Sequence, residues 1–478
     1  MNAALSLKAK VAAARAAGAL SRRAGRGGTS LPGKLLLRLE PRAIAQLAAR
    51  LPHGNAVISA TNGKTTTAAM VAAIMERTGA RLVHNRAGAN MAGGVAASLL
   101  GASGPGGRIA GDLGLFEVDE FWLDRVTDQL RPRALLLANL FRDQLDRYGE
   151  LETIAERWAD VVRAGGPRTL VLNADDPLVA DLGRERAGAD GRGGAGGGGP
   201  RAFSGAGETV FFGVEDHSVA LPGLSHASDS KHCRRCGTPY AYDAVFLGHL
   251  GHYHCPTGDN RRPEPQVAAT SVVLKGARSA QITLRTPAGT TEVALPLPGL
   301  YNVYNALGAT ALALALGAGL EDVRAGLEAV SPAFGRAETV QIGGRPVSVL
   351  LVKNPAGANE VLRTLALEDG EHDLLAVLND RTADGRDVSW VWDADFELLA
   401  CRLRRATCSG TRAAELALRL KYAGVPTDRL HVVDDVAGGL DAAVAGGEGP
   451  LYVLPTYTAL LELRRELVAR GLAGSAFG

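Results

Sequence analysis

The stretch SATNGKTTTAAM, Ser59 to Met70, decides how this chain is read. It follows the apolar run Asn55-Ala-Val-Ile and leads into an alanine-rich segment. A buried strand, a glycine turn and a helix are expected in that order. Backbone N–H groups at a helix N-terminus attract anions, and glycine lets the backbone come close to them. Asn62, Gly63, Lys64, Thr65 and Thr66 are therefore expected to cradle phosphate, with Lys64 reaching the β and γ phosphates and the Thr65 hydroxyl facing Mg²⁺. The strict phosphate-loop pattern fails at Ile58, where its first glycine belongs. A plainly capped helix start after a strand would give the same local sequence.

Outward from this loop, short apolar runs alternate with helical patterns: AVIS, RLVH, LGLFEV, ALLLANL and TLVLNA are separated by segments such as ETIAERWADVVRAG. That alternation predicts a parallel sheet covered by helices, an α/β fold. Residues 1–50 read as an N-terminal helical segment, basic and amphipathic at its start. A docked helix is favoured there over weak association with an anionic membrane surface. Residues 51–333 read as the nucleotide-binding domain, carrying an insert at 227–262 that holds most of the His and Cys. The glycine tract 187–200 reads as a flexible surface loop. From 334 to 478 a second α/β unit of Rossmann-like type is expected, with strands VSVLLV, DLLAVLN, RATCSG, LHVV and LYVLP.

A chain of 478 residues with 46% apolar and 21% charged residues is an ordinary soluble globular protein. Its net charge of +2 carries no field for nucleic acid, and no partner of that kind is expected. No run approaches the roughly 18 apolar residues of a membrane span. The five cysteines form no disulfide framework, which suggests a reducing, cytoplasmic setting. Cys233, Cys236 and Cys255, in CRRC and GHYHC, read as two knuckles of a zinc ribbon, a closed site that would stabilise an insert lacking its own core. The fourth ligand is open: His254, His252 or Asp259 could close a Zn²⁺ site, or no metal is bound.

The motifs taken together resemble a known family. TNGKTTT, HNRAGANMAGG (84–94), NLFRDQLDRYGE (139–150), NADDP (173–177) and PGLYNVYNALGA (298–309) occur in the order seen in the Mur ligase superfamily. Those enzymes use ATP to join an amine to a carboxylate through an acyl phosphate. The resemblance implies a central Mur ligase sheet domain, ATP and Mg²⁺ as cofactors, and Glu117 as a metal-binding and catalytic residue beside Lys64. It also implies Asn85, Asn305 and Arg336 near the nucleotide, with Asn302 serving as a helix cap. Departures are Ala60, where most members have glycine, and Gln144, where they have a metal-binding histidine. Only about 50 residues precede the loop, so a soluble UDP-linked substrate is not expected.

LLVKNPAGANEVL (350–362) and LNDRTADGRDVSWVWDADFE (378–397) narrow the resemblance to the MurT branch, the Mur-ligase-like subunits of lipid II isoglutaminyl synthase. It implies amidation of the isoglutamate α-carboxyl in the lipid II stem peptide, with ammonia from glutamine. No nucleophile-elbow cysteine is found here, and Cys408 reads as a buried strand thiol. Ammonia is therefore expected from a class I glutamine amidotransferase subunit. Asp387 is expected to complete that partner's Cys–His–Asp triad across the interface. Asp384 is read as a turn residue, and Trp390 and Trp392 as neighbours on one strand face, either interface anchors or core. Lys353 stands where related ligases often have histidine. The lipid-linked substrate implies transient proximity to a membrane surface. A folylpolyglutamate synthase-like ligase is the alternative, although DGRDVSW has no place in it. A zinc-ribbon protein with a merely structural nucleotide site is the third reading.

Overall fold

Asn55–Ser59 lies near the middle of a sheet that has nine strands among the described residues. The structure, a computed structural model, describes residues 6–23, 30–85, 89–104, 107–143, 151–164, 167–189, 207–225, 228–331, 336–447 and 449–473. Gln144 and the glycines from 190 to 200 lie outside the described residues, as do the side chains at 336 and 337.

Across the sheet the strands run Gly289–Leu295, Ser279–Thr286, Val267–Lys275, Glu208–Val214, Thr169–Asn173, Ala134–Leu137, Asn55–Ser59, Leu113–Glu117 and Leu82–His84. From Val267–Lys275 onward every neighbouring pair is parallel. The first two strands extend the sheet antiparallel. The continuous apolar runs follow from burial on both faces. Ala56 and Ile58 enter one core with the helices Lys64–Arg77 and Leu300–Ala315. Val57 enters the opposite core with Ala92–Ala102, Leu123–Leu130 and Leu151–Arg163. The nucleotide loop leaves the carboxyl end of Asn55–Ser59, where the strand order reverses, which is where open α/β sheets bind ligands.

The N-terminal segment is docked. Val11, Ala14, Leu36 and Ile44 join the second core, and Lys10 Nζ donates to Glu40 at 2.9 Å. Among the described residues no helix is long and apolar enough to cross a membrane. Two local expectations are corrected. Gly299 caps the helix Leu300–Ala315, and Asn302 lies inside it with its side chain donating to the Pro298 carbonyl at 2.8 Å. Trp390 and Trp392 sit on a 3₁₀ turn, Ser389–Asp393, rather than a strand.

The second unit holds six strands among the described residues, in the order Arg336–Ile342, Arg345–Leu350, Leu451–Pro455, His372–Val377, Leu403–Ser409 and Leu430–Val433. Only the first pairing is antiparallel. The buried Arg345 guanidinium lies against Asp373, whose carboxylate also takes two bonds from Arg404 at 3.0 and 2.6 Å. Removing one partner of a buried pair costs about 3–5 kcal/mol because the other charge stays behind. Asp373→Ala should therefore lower the urea midpoint of this unit by an amount of that order. An unchanged midpoint would mean that Arg345 is satisfied without Asp373.

Candidate active site

The strand Asn55–Ser59 and the helix Lys64–Arg77 hold the loop between them under tension of space rather than of bonds. Gly63 has φ of 84°, the left-handed region, and a Cβ there would stand 2.0 Å from Asn305 Oδ1. Only glycine fits both conditions. Asn305 is fixed in turn: its Oδ1 accepts from the Thr67 hydroxyl at 3.2 Å, and its amide donates to Asn302 Oδ1 at 3.0 Å. The expected nucleotide residues Asn62, Gly63, Thr66 and Asn305 thus come together on one wall of a cavity of about 130 Å³. Its apolar side carries Leu250, Tyr301 and Leu350. Thr65 is half-buried in the first turn of the helix.

The charged groups gather on the adjoining strand end. Register sets Glu117 beside Ile58, and the Val118 amide donates to the Ile58 carbonyl at 2.9 Å. Glu117 is buried, as are Asp119 and Glu120 just beyond it. Lys64 Nζ donates to Glu120 Oε2 at 2.7 Å and to the Ala60 carbonyl. Burial works against the Lys64 ammonium, but the Glu120 and Asp119 charges outweigh it and its pKa stands above the ordinary value. Burial likewise works against the Glu120 carboxylate, yet Lys64 and Lys353 hold its pKa low. Asp119 is pushed up by burial and by the Glu120 charge.

Asn85 is tied to the backbone that carries Glu117. Its Oδ1 accepts the Glu117 N–H at 3.0 Å and its amide donates to the Glu117 and Ala89 carbonyls at 2.8 and 3.1 Å. Fully engaged this way, it fixes the strand end that carries Glu117. Arg336 opens the first strand of the second unit.

The second unit closes over the loop. Asn62 and Asn354 exchange amide hydrogen bonds at 3.3 and 3.0 Å, and Lys353 Nζ donates to the Thr61 carbonyl at 3.1 Å and to Asp143. Asn139 brackets Asn62 from beneath, accepting its N–H at 2.9 Å and donating to its carbonyl at 3.0 Å. Asn139, Asp143 and Asn354 were not singled out from sequence. The signal was present in NLFRD and KNP, but their partners lie too far away along the chain to be inferred.

Asp387 is exposed, its carboxylate accepting the Ser389 N–H at 2.9 Å. Hydrogen bonding by Ser389 holds its pKa below the usual carboxylate range. Asp384 does anchor this loop: it is buried and accepts from the Thr458 N–H at 2.7 Å and from the Thr458 hydroxyl. Trp392 is exposed beside Tyr422, ring centroids 5.9 Å apart, whereas Trp390 packs against the core of this unit. Cys408 is buried and its thiol pushed up to about 12 by that burial.

In the insert, the strands Ala241–Leu247 and Leu250–His254 pair as a hairpin. Cys233, Cys236 and Cys255 bring their sulfurs within 4.8 Å of one another. His254 is corrected as a fourth ligand: it stands outside this group and faces Asp243 at 3.6 Å. The Thr257 hydroxyl lies beside the group, 3.5 Å from Cys236 Sγ and 3.6 Å from Cys255 Sγ. Three clustered cysteine sulfurs are donors that suit a soft divalent metal.

Gly63→Ala should cost roughly 1–2 kcal/mol for the left-handed backbone alone, before the clash with Asn305. ATP affinity measured by titration calorimetry should fall by at least about tenfold. Wild-type affinity in that variant would mean that this turn does not hold phosphate.

With the geometry in place, comparison with known proteins is informative. Residues 58–192 match the Mur ligase middle domain family, and residues 351–460 match the MurT ligase C-terminal family. The chain is 31% identical, over 94% of its length and 94% of the relative's, to the MurT subunit of lipid II isoglutaminyl synthase (glutamine-hydrolyzing) from Streptococcus pneumoniae. It is 30% identical at the same coverage to the Staphylococcus aureus N315 subunit. A pseudomurein peptide ligase type C from Methanothermus fervidus has a similar fold, with TM-score 0.64, 21% identity, and 89% of this chain and 80% of that one covered.

Proposed function

Since the chain belongs to the MurT family of Mur ligase-type enzymes, an ATP-dependent ligase of peptidoglycan synthesis, we propose that its cleft activates the isoglutamate α-carboxyl of lipid II for amidation. The observation that supports this best is the meeting of Lys64, Glu120 and Glu117 with Lys353 and Asn354, where the two units close on the phosphate loop.

In this reading the substrate carboxylate attacks the γ-phosphorus of ATP, ADP leaves, and ammonia then displaces phosphate from the acyl carbon. Gly63 admits the phosphates to the helix N-terminus, and Asn62 and Asn305 flank them. Lys64 moves its charge from Glu120 toward the phosphoryl group as negative charge develops there. Thr65 and Glu117 would hold Mg²⁺, which neutralises phosphate charge when bound. The apolar end of the cavity suits the adenine ring, and Arg336 is assigned to the nucleotide by resemblance. The glutaminase partner, a class I amidotransferase subunit, would meet the exposed Asp387. That carboxylate stays ionised across the neutral range and would orient the partner's histidine. Work on a lipid-linked substrate would place the enzyme at the cytoplasmic membrane surface. The folylpolyglutamate synthase alternative is disfavoured by the family match over residues 351–460.

The test supplies lipid II, ATP and a nitrogen source, and follows ADP release and the mass change from acid to amide. Lys64→Ala should lose about 10²-fold or more in turnover, the scale of one lost electrostatic stabiliser. Full activity in that variant would rule out the phosphate-loop assignment. Asp387→Asn should lose turnover with glutamine and keep it with ammonium; equal loss with both would sink the shared triad.

We also propose that Cys233, Cys236 and Cys255 hold structural Zn²⁺, with Thr257 at the fourth corner. Elemental analysis should find about one zinc per chain, and Cys255→Ser should remove most of it. A metal-free wild-type chain would overturn the zinc site.

A further inference from the structure

Beside the phosphate loop lies a second cavity, of about 70 Å³, that the functional reading leaves without an occupant. That is room for a few water-sized molecules. Asp143, Lys353, Asp384 and the exposed Asp387 line it, with Arg142 and Asp393 completing its charged wall. Lys353 also lines the nucleotide cavity, so the two spaces share a wall.

Asp143 distinguishes this space from an ordinary acidic surface. Its side chain is only 6% exposed, and Oδ2 is paired with Lys353. Oδ1 is buried with no hydrogen-bond partner among the described residues. A buried carboxylate oxygen left unmatched is costly and calls for a donor. The residue is also placed with care. The Thr61 amide donates to the Asn139 carbonyl at 3.0 Å, and the Phe141 amide to the Thr61 hydroxyl at 3.1 Å. The Arg142 amide donates to Asp229 at 3.0 Å. The segment leading to Asp143 is thus stitched to the phosphate loop itself.

Resting on the amidation reading above, we propose that this cavity is an ammonium site, in which Asp143 receives NH₄⁺ and takes one proton from it. Ammonium offers only N–H donors, which suits a wall of carboxylates with one open oxygen. The NH₃ left behind attacks the acyl carbon with its lone pair. The carbon–nitrogen bond forms, the carbon–oxygen bond to phosphate breaks, and a second nitrogen proton leaves with the phosphate. Burial pushes the Asp143 carboxyl above its ordinary range, against the pull of Lys353 and with Glu120 adding to the rise. Lys64 also acts on it in the opposite sense. The position of the cavity, between the edge where Asp387 would meet a glutaminase and the loop where the acyl phosphate would form, fits nitrogen entering from one side and meeting carbon on the other.

Hydroxylamine separates this role from packing, because it is largely unprotonated at neutral pH and needs no base to become a nucleophile. In the complex with its glutaminase subunit, Asp143→Asn should lose about 10²-fold in ammonium-dependent amide formation, the scale of a positioned base. With hydroxylamine it should form hydroxamate within about threefold of wild type. Equal losses with both nucleophiles, or no loss with either, would overturn the proposal. A wild-type complex that makes neither product would instead overturn the amidation reading on which it rests. Should the variant not fold, the wild-type enzyme still decides. Capture of ammonium predicts an apparent KM for total ammonium that moves less than about threefold between pH 8 and pH 7. Use of free ammonia alone requires a rise of about tenfold over that interval, and would overturn the site.

Discussion

The cleft depends on one buried contact, the 2.7 Å pair between the Lys64 ammonium and Glu120. Each of these ions would cost several kcal/mol to bury alone, so neither is stable there without the other. Around them the described cleft holds four buried or nearly buried carboxyls, Glu117, Asp119, Glu120 and Asp143, against two ammonium groups, Lys64 and Lys353. Such a site is short of positive charge before any phosphate enters. A nucleotide would add more negative charge, part of which a divalent cation arriving with it would offset. The acids therefore do not repel the substrate so much as dictate the form in which it binds. They also hold Lys64 charged and aimed at the loop, so that its partner can be exchanged without reprotonation.

The same contact explains why the two units meet where they do. Lys353 reaches across to Thr61 and Asp143, and the Asn62–Asn354 amide pair spans the same gap. These contacts are polar and can be replaced by water, unlike the apolar packing inside each unit. Domain interfaces of that kind open at modest cost. Because three of the four bonds end on the phosphate loop itself, opening the cleft and loosening the cradle are one event. The Lys353–Asp143 pair forms only while the units are closed, whereas Lys64–Glu120 lies within the first unit alone.

Much of this was legible in the sequence, for a physical reason. Parallel strands buried on both faces must be continuous apolar runs, and AVIS, LGLFEV, ALLLANL and TLVLNA are found as strands in consequence. The strands of 267–295 were not singled out, because their half-exposed alternation and threonines carry a weaker signal. Gly63 and Lys64 could be named from the turn alone. The bonds of Asn85 to the Glu117 backbone could not be read from sequence, since they depend on a strand pairing. Asp143 acquires its meaning from a lysine 210 positions away. Cysteine spacing found the three sulfurs that gather in the insert, but not that Thr257 rather than His254 lies beside them, because that depends on the turn after Cys255.

Two aspartates that line one small cavity illustrate how environment divides labour. Asp387 is exposed, hydrogen-bonded by Ser389, and held below the usual carboxylate range. A group so placed keeps its charge and suits the orienting of a cationic partner. Asp143 is buried, left with one unmatched oxygen, and held above that range. A group so placed accepts a proton readily once a donor is brought to it. Pairs of like groups pushed apart in this way mark opposite tasks in proton chemistry. On the proposed reading, the outer aspartate helps release nitrogen in a neighbouring subunit and the inner one strips it of a proton beside the activated carboxyl. Exchanging the two environments would defeat the inner task, because a solvated carboxylate below its usual range resists taking up a proton.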